Sequence, residues 1–323
     1  MSWVSVKDFG ALGDGVTDDT LAINACLAAN LRVFFPEPLT FYKITAPLNL
    51  RSGHYLMGSS RTPNKGLHFF SPATDALFAS VHTGGTRDII IENIYLFDAV
   101  RSSRSAGHGI HIDGAGDAAT VTIRDTMVYG FQDGINVTAL MKSLFENNRQ
   151  TSSLRDAWHC QLTSTSTHVS TNYADAPGRY GYYATILNYS EFQACACDQA
   201  ASDSYHFEMG DGGVSRNVTF ISCGLEQGKG NGWYLDGTSF VLINPSITSI
   251  PTGTGKAGIL LNGAGLTIIM NPRVVGADWA VSMPIAPLHI PAKYAKSNVV
   301  TSIYADSQGV GVYNDPLNLL VHV

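Results

Sequence analysis

EFQACACDQAASDSYHFEMG (residues 191–210) and TFISCGLEQGKGNGWYLDG (219–237) align at a constant offset of 28. Phe192 falls over Phe220, Cys195 over Cys223, Asp198 over Glu226, Tyr205 over Trp233 and Glu208 over Asp236. VLINPSITSIPTGTGKAGILLNG (241–263) repeats the pattern again. Each row holds short apolar alternations parted by Gly, Asn and Ser, with no 3.6-residue helical period. Such a repeat is the signature of a β-solenoid, in which each row is one coil and residues a repeat apart become spatial neighbours.

Working outward, DIIIENIYLF (88–97), TVTIRDTMVYGF (120–131), SLFENNRQ (143–150) and LTIIMNPRVVG (266–276) extend the first strand of the coil. HGIHIDG (108–114), DGINVTA (133–139), DAWHCQL (156–162), DSYHFEM (203–209), NGWYLDG (231–237) and AGILLNG (257–263) extend the second. Seven or so coils follow, stacked at roughly 4.8 Å. Strand parity then sorts the side chains. Ile110, Ile135, Trp158, Tyr205, Trp233 and Ile259 belong to the inward columns, and the alternate positions face outward. The outward pairs read His111 with Asp113, Asn136 with Thr138, His159 with Gln161, His206 with Glu208, Tyr234 with Asp236, and Leu260 with Asn262.

Imidazoles, a phenol and carboxylates stacked on one face suit general acid–base chemistry, although a solvated sheet face would also be polar. A second carboxylate pair, Asp198 over Glu226, sits at the turn after the first strand. Carboxylates one coil apart start near about 5 Å, the spacing of retaining glycoside hydrolysis, and reach the inverting spacing when splayed. A third column, Asp133, Asp156 and Asp203, precedes the second strands and reads as turn structure, because Asp caps nearby amides.

Of 323 residues, 45% are apolar and only 14% charged, with 32 Gly and 13 Pro, which suits a large core with many turns. The net charge of -6 and the absence of a Lys/Arg cluster argue against nucleic acid. Five cysteines, Cys26, Cys160, Cys195, Cys197 and Cys223, are an odd number and point to packing in a reducing compartment rather than a disulfide frame. No apolar run of membrane-spanning length and no signal peptide occurs, so membrane insertion is not expected. Histidine spacing shows no metal motif, GxSxG is missing, and neither a metal nor another cofactor is expected.

VSVKDFGALGDGVTDDTLAINACL (4–27) reads as an apolar strand, a turn through Gly10, Gly13 and Gly15, and a helix capped by Thr17 or Asp18. A helix this apolar would plug the end of a solenoid. DFGALGDGVTDDTLAI resembles the opening of the pectate-lyase-like right-handed parallel β-helix superfamily, phage tailspike depolymerases above all, and 33–60 resembles that family's next segment. The motif match covers about the first 60 residues. The resemblance implies an all-β fold: a single-stranded right-handed parallel β-helix with an N-terminal capping helix. It also implies a homotrimer on the virion tail, folded in the bacterial cytoplasm and acting at the bacterial surface. Tailspikes usually carry a virion-attachment domain before this motif, and the chain resembles either a headless fragment of one or a naturally headless relative.

The expected organisation is a cap with first coils at 1–60, a β-helix body at 61–283, and a last coil with a closing segment at 284–323. Within the body, 162–188 reads as a long insertion bearing Tyr173, Arg179, Tyr180, Tyr182 and Tyr183. Aromatic faces and a guanidinium fork suit a sugar platform; contact between subunits is the alternative. The expected activity is cleavage of a bacterial surface polysaccharide by glycoside hydrolysis, with Asp198 and Glu226 first and Glu208 and Asp236 second as the acting carboxylates. His206, Tyr234, His159, Arg179, Tyr180, Tyr182 and Trp233 are the expected glycan contacts. One alternative is a lyase in which His206 and Tyr234 abstract a proton beside a uronate carboxylate neutralised by Arg179. Another is a non-catalytic glycan-binding spike.

Overall fold

The computed structural model describes residues 2–62, 65–80, 88–114, 119–210 and 213–285, with backbone strands at 298–301, 304–305, 311–314 and 320–322. The chain is a right-handed parallel β-solenoid of about 11 turns with one helix near the N-terminus. It divides into two compact units, Met1–His159 and Cys160–Val323.

Each coil carries three strands rather than the two read from sequence, because the first bends at a corner. In the second unit, Ser215–Ile221 is separated from Gly224–Glu226 by Ser222 and Cys223, and the Ser222 φ of 51° lies in the left-handed region. Ala194, Asn244 and Asn271 turn the equivalent corners of other coils with φ of 50–52°. A left-handed non-glycine residue costs about 1–2 kcal/mol, and the ladders on either side hold it. Asn271 donates its side-chain amide to Asn244 one coil away at 3.3 Å.

All three ladders are parallel. In the second unit the first runs through His168–Ser170, the end of Tyr182–Gln193, Ser215–Ile221, Gly237–Ile243 and Ile268–Met270. The second runs through Tyr173–Asp175, Ala196–Asp198, Gly224–Glu226, Ser246–Ile250 and Arg273–Gly276. The third joins the start of Tyr182–Gln193 to Tyr205–Phe207, Trp233–Leu235, Ala257–Asn262 and Trp279–Ile285. In the first unit, Leu48–Asn49, then Leu77–Ser80, Ile110–Asp113 and Ile135–Thr138, supply strands of the third ladder.

Parity fills the core. Phe192, Phe220, Leu242 and Ile269 stack in the first ladder, and Tyr182, Tyr205, Trp233 and Ile259 in the third, all at most 1% exposed. The Tyr182 and Tyr205 rings stack at 4.9 Å and Tyr205 on Trp233 at 4.5 Å. Each such side chain contributes roughly 1.5–3 kcal/mol by leaving water. Gly181 is forced before this column, since a Cβ there would meet Cys197 Sγ at 2.3 Å. All five cysteines are free and buried.

The expected insertion at 162–188 is instead a regular coil, with strands His168–Ser170 and Tyr173–Asp175 and the start of Tyr182–Gln193. Its Ser/Thr and Tyr content hid strands whose inward positions are Val169, Ala174 and Tyr182. At the C-terminal end, Asn298–Thr301 pairs with Ile268–Met270 and Leu320–His322 pairs with Asn298–Thr301, so the ladders run on into 284–323. Tyr304–Ala305 and Gly311–Asn314 pair with Arg273–Gly276 and Trp279–Ile285 in the same way, and the residues between these strands lie outside the described residues.

At the N-terminus, the helix Thr20–Ala29 buries Ile23, Cys26 and Leu27. The N-cap is Asp19 rather than the expected Thr17 or Asp18; Asp18, one residue earlier, accepts the Thr20 N–H at 3.0 Å. Asp19 reaches back instead, accepting the Leu12 and Gly13 amides at 2.7 and 3.1 Å and fixing the glycine turn. Among the described residues no helix is long and apolar enough to cross a membrane.

Candidate functional site

Outward parity on the third ladder of the second unit brings Tyr183, His206 and Tyr234 into one register row, because Tyr182, Tyr205 and Trp233 claim the inward positions. Tyr180 covers the row from the side. Its ring stacks on His206 at 4.1 Å and lies 5.7 Å from Tyr183, and His206 stacks on Tyr234 at 4.2 Å. The Arg179 guanidinium caps the platform, 4.4 Å from the Tyr180 ring and 5.1 Å from Tyr183. Cation–π geometry holds the charge at the platform edge.

Polar contacts run through this row. His206 bridges two carboxylates, Nδ1 to Asp203 Oδ2 at 2.7 Å and Nε2 to Glu208 Oε2 at 3.1 Å. The Tyr183 hydroxyl donates to Glu208 Oε1 at 2.5 Å. Burial pushes the Glu208 carboxyl up, but hydrogen bonds from Tyr183 and His206 outweigh it and hold Glu208 below the ordinary carboxylate range. Burial, then the hydrogen bond to Glu208 and its charge, push the Tyr183 phenol well up. Tyr234 is raised too, by burial first and Asp236 next, and accepts from Asn262 Nδ2 at 2.5 Å. Glu208 keeps 41% of its side chain exposed, so an ionised carboxylate opens to solvent among four aromatic rings.

Asp203 does more than shape a turn. Besides orienting His206, its Oδ1 accepts the Asn231 N–H at 2.6 Å and Asn231 Nδ2 at 3.0 Å, which ties it to the next coil. Asp236 is 8% exposed and directly follows Leu235, the register partner of Phe207, as Glu208 directly follows Phe207.

Asp198 and Glu226 are register partners as well, with Asp175 one coil earlier, but they belong to the second ladder. Asp198 accepts the Tyr173 hydroxyl at 2.5 Å, and Tyr173 shares the outward register row of Ala196 and Gly224. The structure thus separates the two carboxylate pairs by ladder.

Three expected glycan contacts are corrected. Tyr182 and Trp233 are fully buried in the inward column, as their parity with Tyr205 requires. His159 points outward yet is 1% exposed, with Nδ1 2.6 Å from the buried Asp156. Arg179, Tyr180, His206 and Tyr234 do assemble at one place. Sequence reasoning missed the role of Tyr183 as donor to Glu208; its place two residues after Gly181, matching His206 two after Ser204, was the available signal.

The first unit carries a separate polar group. Asp133 is fully buried and bound by Arg155 and by Asn136 Nδ2 at 2.7 Å, and hydrogen bonds from Arg155 and His108 hold its carboxyl far below the usual range despite burial. His108 and His111 stand in front of it, beside a groove of about 450 Å³ lined by Asp75 and Phe78.

Residues 3–103 match the family profile described as rhamnogalacturonase A/epimerase, pectate lyase-like, and residues 103–272 match that of the right-handed β-helix region. Among curated proteins, no sequence matches the chain. Several solved structures share the fold. The A-module of mannuronan C-5 epimerase AlgE4 from Azotobacter vinelandii is similar at a TM-score of 0.67 and 16% identity, over 97% of each chain. Tailspike protein 2 of Escherichia coli bacteriophage CAB120 gives 0.69 and 13%, over 100% of this chain and 46% of the tailspike. The catalytic unit of a GH87 α-1,3-glucanase from Streptomyces thermodiastaticus gives 0.61 and 15%, over 99% and 67%. With one profile spanning more than half of its residues, the chain belongs to the right-handed β-helix family.

Proposed function

We propose that this chain binds a bacterial surface polysaccharide across the outward face of the third ladder in its second unit and cleaves it by glycoside hydrolysis. The observation that carries the reading is Glu208: an ionised, solvent-facing carboxylate buttressed by Tyr183 and His206 and flanked by the Tyr180, Tyr183 and Tyr234 rings. Pyranose C–H faces stack on such rings, and phenols and imidazoles bind hydroxyls. Glu208 attacks the anomeric carbon as the bond to the leaving oxygen breaks, and Asp236 gives that oxygen its proton. Water then cleaves the glycosyl ester with Asp236 as base. Carboxylates on adjacent coils suit the retaining spacing of about 5 Å. Asp198 and Glu226, beside the single ring of Tyr173 rather than a stack of rings, are the weaker pair.

Structural likeness to a tailspike and a glucanase supports a polysaccharide substrate and a virion-associated setting. A homotrimer is supported by the outward face of the first ladder, where Ile221, Val241, Ile243, Ile268 and Met270 form an apolar surface on neighbouring coils. The Arg179 guanidinium at the platform favours a second reading, β-elimination on a uronate, with His206 and Tyr234 moving the proton.

Incubation with a panel of capsules, O-antigens and exopolysaccharides tests the proposal. Hydrolysis releases reducing ends without the ultraviolet absorbance of unsaturated uronate. Glu208→Gln is expected to lower the rate by about 10³-fold and keep binding. Unsaturated products would establish the lyase, and tight binding without product a non-catalytic spike.

A further inference from the structure

A second set of donor atoms lies in the first unit, independent of the glycan reading. Asp75 sits just before the strand Leu77–Ser80, which pairs with Ile110–Asp113, and that pairing brings His108 and His111 over it. Asp75 Oδ1 accepts the His108 backbone N–H at 2.8 Å, and Asp75 Oδ2 lies 2.9 Å from His111 Nδ1. The His108 and His111 rings meet edge to face at 5.1 Å. One donor atom from each of Asp75, His108 and His111 falls within 4.8 Å of the others. The three side chains keep 16–22% of their surface exposed and open on the groove.

We propose that Asp75, His108 and His111 bind a divalent transition-metal ion of the Zn²⁺ type. Two imidazoles and one carboxylate are a borderline-soft donor set, which favours Zn²⁺, Co²⁺ or Ni²⁺ over the all-oxygen shells of Ca²⁺ and Mg²⁺. Bonds of about 2.0–2.1 Å place tetrahedral ligands about 3.3 Å apart, so the donors close on an ion with side-chain shifts of about 1 Å. Three protein ligands leave a position for water or a groove ligand, the arrangement of an open rather than a structural site.

The surroundings are those of a ligand set. His108 Nδ1 lies 3.0 Å from Asp133 Oδ2, and a carboxylate behind a histidine fixes the ring and raises its basicity toward a metal. Asp133 is itself held by Arg155 and Asn136. Phe78, with its ring 5.2 Å from His111, walls the apolar side. The other Asp–His cluster, Asp133 with Asp156 and His159, is fully buried and has Arg155 beside both acids, so it does not admit an ion.

Calorimetric titration of the full chain, stripped with chelator, with ZnCl₂ or CaCl₂ tests the site. One equivalent of Zn²⁺ per chain is expected, with a rise in melting temperature that Ca²⁺ does not give. His111→Ala and His108→Gln are expected to weaken Zn²⁺ at least about tenfold while circular dichroism stays native. Co²⁺ supplies a second readout: visible ligand-field absorption in the wild type, lost in His111→Ala. Absence of saturable Zn²⁺ binding, or binding unchanged in both variants, would overturn the proposal.

Discussion

Tyr183 and His206 set the ionisation of Glu208, and their removal has a definite sign. Their hydrogen bonds favour the carboxylate, so Tyr183→Phe lets the Glu208 pKa rise. The acid limb of the pH–rate profile should move to higher pH, with the alkaline limb little changed. An unmoved acid limb would place the ionising group elsewhere. Trp233 makes the opposite point. Its ring is buried against Tyr205, so Trp233→Ala should cost about 3–5 kcal/mol and lower the melting temperature, whereas Tyr180→Ala should weaken glycan binding with little loss of stability. Calorimetry beside a binding assay separates the two.

At the scale of elements, the ladders convert buried polar groups into pH-dependent stability. His68, in the strand Leu67–Phe69, stacks on Phe41 at 3.9 Å, and burial lowers its pKa to about 4. Its folded pKa lies below the unfolded value near 6.5, so its stability contribution is present above about pH 6.5 and is lost as pH falls toward 4. That window is worth roughly 3 kcal/mol at most. His68→Phe should flatten the fall in melting temperature between pH 6.5 and 4.5; an identical fall would assign the loss to other groups.

The strand rows themselves were legible in sequence, because alternation and register carry the information: Phe192 does pair with Phe220, and Asp198 with Glu226. The coil at 162–188 was not, since Ser, Thr and Tyr occupy its strands and the apolar alternation is weak. The same limit applied to the site. Parity identified His206, Glu208 and Tyr234 as outward neighbours, but whether a residue on that face reaches solvent depends on what packs over it. His159 is covered and Glu208 is not. Asp75 and His108 stand on different coils about 33 residues apart, in rows whose register the sequence repeat does not cover.

For the molecule as a whole, the apolar outward patch of the second unit is the feature a solvated monomer does not need. If the proposed trimer forms through this patch, Ile268→Glu together with Met270→Lys should shift it toward monomer in light scattering; a wild type already monomeric would remove the trimer. The corners suggest a different kind of consequence. Equivalent positions of the first ladder recur at offsets of 28, 22 and 27 residues, from Phe192 to Phe220, Leu242 and Ile269, while the bend at 194, 222, 244 and 271 keeps its place after each of them. Length is absorbed elsewhere around the coil. Losing a single residue within a strand turns the inward column out, whereas excising a full circuit joins like to like, so the chain tolerates large edits better than small ones.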